Sequence, residues 1–152
     1  MKKYALLAFP LLLILGCKSN DAVIPSDIKY IDLSHEADQN KAREQYWIVE
    51  KRKRPTMLLA AVKSGQAGCS ELIIGIGSDG KMTGYKVTKS YPKGLFDKSI
   101  AAALGSWRWK PSASNTERKP ILTKMHMYFQ SSNAKNKAEA ELMCGSTAIN
   151  NS

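Results

Sequence analysis

Side chains capable of chemistry are few in this sequence and widely spaced. Cys69 and Cys144 stand far from each other and from the third cysteine, Cys17. Neither sits in a C-x-x-C, and only His35 and His126 supply imidazoles. An even pair of thiols in an oxidising compartment reads as a disulfide. Closing a loop of about 75 residues is worth roughly 4 kcal/mol in the chain-entropy picture. A catalytic thiol or a metal ligand is the sharper alternative, but each needs partners. His35-Glu36-Ala37-Asp38 gathers ligating types at a spacing that fits no standard site, and a polar tether explains it better. His126 falls in an alternating stretch, with no carboxylate or nucleophile expected beside it. Glu71 and Asp79 are a poor acid–base pair, because Asp79-Gly80 is already explained by a turn. No Gly-rich phosphate loop, nucleophile elbow or H-E-x-x-H is present. The inventory argues against an enzyme and implies no cofactor and no metal.

Cys17 belongs to a different setting. Lys2 and Lys3 precede an apolar run from Ala5 to Leu15, followed by Gly16 and Cys17. This is the layout of an export signal, too short for a spanning helix of about 20 apolar residues. Ile14-Leu15-Gly16-Cys17 resembles a bacterial lipobox. That resemblance implies removal of residues 1–16 and acylation of Cys17, which would anchor the chain to a membrane. Lys18 stands where an aspartate would resemble an inner-membrane retention mark, so the outer membrane is favoured. The chain carries 23 Lys+Arg against 13 Asp+Glu, a formal charge of +10. An exported protein meets little nucleic acid. Lys51-Arg52-Lys53-Arg54 therefore reads as a solvated basic surface near anionic envelope components.

Around these residues the elements can be placed. Residues 17–44 are polar, with short apolar pieces, and read as a tether. Residues 45–131 read as one folded domain. Tyr46 to Val49 is a strand. Pro55 opens a helix over Thr56 to Ser64, which Gly65 stops. Leu72, Ile74 and Ile76 alternate as a half-buried strand requires. Ser78-Asp79-Gly80 turns the chain into a second strand, Lys81 to Ser90, with Tyr85 and Val87 on one face. Phe96, Ile100, Leu104 and Trp107 share one face of a helix. Trp109 lies beyond it in an extended piece stopped by Pro111, with Arg108 turned away from the tryptophans or stacked on one. A polar loop over Ser112 to Lys119 leads to the last strand, Pro120 to Gln130. Residues 132–152 form a short charged helix and a tail.

This order and its punctuation resemble the TonB C-terminal domain family. The residues that carry the resemblance are Pro55, Gly68, Asp79-Gly80, Ser90 with Pro92, Gly94 and Phe96, the alanines 101–103, and Trp107-Arg108-Trp109-Lys110-Pro111. The resemblance implies an α+β fold: a three-stranded antiparallel sheet with two helices on one face, here with a short C-terminal helix. It also implies a non-catalytic periplasmic module that takes an extended segment of an outer-membrane transporter at an open sheet edge. That edge is expected on the last strand, at Leu122, Lys124, His126 and Tyr128. Family transducers carry a spanning helix and a proline-rich arm, whereas this chain has a lipobox-like start. Another envelope protein is the alternative partner, with the chain as a scaffold.

Overall fold

The computed structural model describes residues 23–130 and 132–145. In chain order the strands are β1 (Ile31–Asp32), β2 (Trp47–Lys51), β3 (Gly68–Ile76), β4 (Met82–Tyr91), β5 (Arg108–Pro111) and β6 (Ile121–Phe129). The helices are α1 (Gln39–Glu44), α2 (Leu59–Ser64), α3 (Asp97–Ser106) and α4 (Lys137–Cys144).

Alternation built the main sheet. Leu72, Ile74 and Ile76 of β3 are fully buried and pair with Met125, Thr123 and Ile121 of β6. Directly opposed residues of antiparallel strands share a face. These six therefore line one side of the sheet, where Ala61 of α2 and Ile100 and Leu104 of α3 join them in one core. Phe96, at the start of α3, stacks on Phe129 with ring centroids 4.6 Å apart. Gly65 ends α2 in a left-handed conformation, as the sequence requires.

The sheet order is β1-β6-β3-β4. The expected three antiparallel strands are its centre, but β1 runs parallel to β6, so the sheet is four-stranded and mixed. A separate two-stranded antiparallel sheet joins β2 to β5. The expected tether is shorter than 17–44. Ile31–Asp32 pairs with Ile121–Leu122, Leu33 and Ser34 are buried, and Asp38 caps α1 by accepting from the Lys41 N–H. Residues 1–22, with the lipobox and Cys17, lie outside the described residues, as does the tail from 146.

The Trp107-Arg108-Trp109 junction closes the core. Both indoles are buried, 5.9 Å apart, and the Trp107 indole N–H donates to the Lys53 carbonyl over 2.8 Å. The Trp109 N–H donates to the Gly80 carbonyl, which locks the β3–β4 hairpin onto β5. Arg108 does not stack. Its guanidinium donates to the carbonyls of Gly105 and Trp107, ending α3, and the cation over the Trp107 ring is Arg52, 5.1 Å from the centroid.

Candidate functional site

Two surfaces of β6 matter: its outer backbone edge and its second face. The Leu122 carbonyl accepts from the Leu33 N–H over 2.9 Å, and the Lys124 N–H donates to the Gln39 side-chain carbonyl over 2.8 Å. Both bonds point away from β3. In an antiparallel ladder, alternate residues of a strand direct their backbone groups the same way. The N–H and C=O of His126 and Tyr128 therefore also point outward, and they carry no hydrogen bond among the described residues.

The edge is thus half filled. The chain's own residues 31–39 close it from Pro120 to Lys124. Gln39 acts here as a substitute peptide group. Its carbonyl also accepts from the Thr123 hydroxyl, while its NH2 donates to the carbonyls of Leu33 and Glu36. Nothing in the local sequence marks this role, because a lone glutamine in a polar stretch has no pattern. Of the four residues expected at an open edge, Leu122 and Lys124 have their outward backbone groups wholly or partly bonded by the chain itself. His126 and Tyr128 do not. The helix α4 packs against β3 and β4 on a face of the sheet.

The side chains of Leu122, Lys124, His126 and Tyr128 lie on the face opposite the core. Cys69 opposes Tyr128 in register and is bonded to Cys144, so α4 sits on this second face. Lys89, Glu71 and His126 form a row across β4, β3 and β6. Glu71 is the hub of this row. Its carboxylate accepts from the Thr88 hydroxyl over 2.8 Å and lies 3.7 Å from the Lys124 ammonium. The Nε2 of His126 and the hydroxyl of Tyr128 are both buried without a partner. Burial pushes the Tyr128 phenol up, and the Glu141 carboxylate of α4 adds to the effect.

Burial also holds the His126 imidazole below its ordinary value, with Glu71 opposing the shift and Lys89 adding to it. The unfolded chain then takes up a proton first as pH falls through about 6.5, and stability falls with it. The melting temperature should drop between about pH 7 and about pH 5.5, and His126→Gln should flatten that drop. An unchanged slope in the variant would assign the acid sensitivity to another group.

Among the described residues no group of three or more His, Cys, Asp or Glu side chains could hold a metal. His35 and Glu36 are exposed. Asp79 serves the hairpin, accepting from the Lys81 N–H over 3.1 Å. Asp97 fixes the start of α3, accepting from the hydroxyls of Ser70 and Ser90, and Ser90 in turn accepts from the Gly94 N–H. Ser90, Pro92, Gly94 and Phe96 are thus parts of one strand-to-helix corner.

Residues 59–130 match the family model of the Gram-negative bacterial TonB protein C-terminal. Among solved structures, the solution NMR structure of the Pseudomonas aeruginosa TonB CTD is similar at 20% identity and a TM-score of 0.49. That similarity covers 67% of this chain and 94% of the other. No curated protein matches the sequence. The matched span begins at α2, ends just past β6, and contains the hairpin, the Ser90–Phe96 corner and the Trp107–Pro111 junction. Over residues 59–130, just under half of the chain, the sequence is therefore similar to the TonB C-terminal family.

Proposed function

We propose that this chain is an envelope protein-binding module that receives an extended segment of a partner at the outer edge of β6, without chemistry of its own. The observation that carries this reading is the outward row of unbonded backbone groups at His126 and Tyr128, next to an edge already completed by β1 and Gln39. A strand added there would continue the sheet with backbone hydrogen bonds, and the half-buried second face would select its side chains. The family match over residues 59–130 supports an outer-membrane transporter as the partner. Acylation at Cys17 would hold the module at the periplasmic face of the outer membrane.

The outward direction of the His126 N–H gives a clean test. Proline at 126 removes that donor and leaves the ladder to β3 on the neighbouring residues, and proline is tolerated at such edges. His126→Pro should weaken binding of a transporter's N-terminal peptide at least about tenfold, the loss of roughly one hydrogen bond and its geometry. Titration calorimetry measures the affinity, and circular dichroism checks that the fold persists. Undiminished affinity in a folded variant removes the edge reading. If a crosslinker at 126 captures other envelope proteins and no transporter, the role becomes scaffolding.

A further inference from the structure

The basic run 51–54 is held in place. The Lys53 carbonyl accepts from the Trp107 indole, Arg52 stacks on the same ring, and the Thr56 carbonyl accepts from the Ser99 hydroxyl of α3. These contacts lay the segment along α3 and leave its cations outside. The result is a groove of about 320 Å³, with Lys53, Arg54 and Lys98 at its rim and Leu58, Ala102 and Ala103 among its walls. Lys51, Arg52, Lys53, Arg54 and Lys98 form no ion pair with any described carboxylate. Leu58 and Leu59 follow at once and are 37% and 66% exposed.

We propose that this groove and the two leucines dock on the surface of an anionic phospholipid bilayer. The cations are arranged for headgroup phosphates, each worth about a factor of five to ten in affinity near such a surface. The two leucines and the exposed Ala102 give the same patch an apolar part that can enter the headgroup boundary. Cell-wall glycan also carries anionic groups, but it offers nothing to exposed leucines, so lipid is favoured. The site lies on α2, α3 and the segment before them. It is separate from the β6 edge, so the module could rest on a membrane with that edge free.

The test uses residues 23–152, which include every described element and the disulfide, so that no acyl chain contributes. Binding is measured by co-sedimentation with phosphatidylglycerol–phosphatidylcholine vesicles, pure phosphatidylcholine vesicles and isolated peptidoglycan. Strong binding is expected only to the anionic vesicles, weakening as salt rises. Lys53→Gln/Arg54→Gln/Lys98→Gln should bind roughly a hundredfold more weakly. Leu58→Ser/Leu59→Ser should also lose affinity, with its salt dependence kept. Lys86→Gln/Lys89→Gln/Lys135→Gln removes the same charge elsewhere and should bind nearly as the parent does. Equal loss in that control, equal binding to neutral vesicles, or binding to peptidoglycan alone overturns the proposal. All of the variant positions but Leu58 and Leu59 carry exposed charged side chains, and near-ultraviolet circular dichroism checks each fold. The salt titration of the parent protein stands without any variant.

Discussion

Replacing Gly80 with alanine should destabilise the domain by about 3 kcal/mol or more, against about 1 kcal/mol for the same change at Gly94. Both glycines have positive φ, 70° at Gly80 and 76° at Gly94, so both substitutions strain the backbone. Their surroundings differ. A Cβ at Gly94 meets nothing within 4 Å, whereas one at Gly80 would lie 2.0 Å from the Trp109 carbonyl oxygen and 3.3 Å from the Trp47 ring. The obstacle is backbone, which cannot turn aside as a flexible side chain can. Relief would require lifting the hairpin from β5 and breaking the hydrogen bond from the Trp109 N–H to the Gly80 carbonyl. Urea unfolding of both variants gives the comparison, and tryptophan emission reports whether the indoles gain solvent. Equal losses at the two positions would mean that the hairpin is not pressed against the junction.

The same contact shows what sequence could and could not reveal. The β3–β4 hairpin and α3 were legible because each is local. Alternation over 72–76, a turn at Asp79-Gly80 and one helical face from Phe96 to Trp107 all act within a few residues. The elements that were missed depend on distant partners. Ile31–Asp32 is a strand only because Ile121–Leu122 lies beside it, and two residues carry no period. The helix α1 spans six residues, too few to show a face, and is fixed by the Asp38 cap and by Arg43 reaching Met125. The pairing of β2 with β5 joins segments about sixty residues apart, so a strand expected at Tyr46–Val49 could not be assigned to its own small sheet. The residues of β6 were identified correctly from their alternation, but which half of the edge was already filled depended on Gln39. Fold class was therefore readable from local pattern and family resemblance together. The state of the edge, on which the proposed function turns, was not.

Replacing Cys69 and Cys144 together with serine should lower stability by about 2–4 kcal/mol, with the fold retained. The bond spans 75 residues of sequence, so its removal restores much freedom to the unfolded chain. The native state also loses a clamp. Of α4, Ala140 and Cys144 are buried, while Leu142 and Met143 are 82% and 45% exposed, so the helix has little apolar surface to hold it down. Its beginning has other ties. The Asn136 side chain both donates to the Ala67 carbonyl and accepts from the Ala67 N–H, and the Lys135 N–H donates to the Gly65 carbonyl over 2.8 Å. The variant should therefore keep the first turn of α4 docked and release the last. Hydrogen exchange should quicken at 141–144 more than at 137–140, and the Tyr128 phenol should titrate lower as Glu141 moves away. Urea unfolding of the oxidised protein, the reduced protein and the variant measures the energy. If all three unfold at the same midpoint, the bond contributes nothing and α4 is held by Asn136 and its neighbours alone. If the reduced protein and the variant fall together below the oxidised one, then oxidation sets the cover over the second face, beside the open end of the β6 edge.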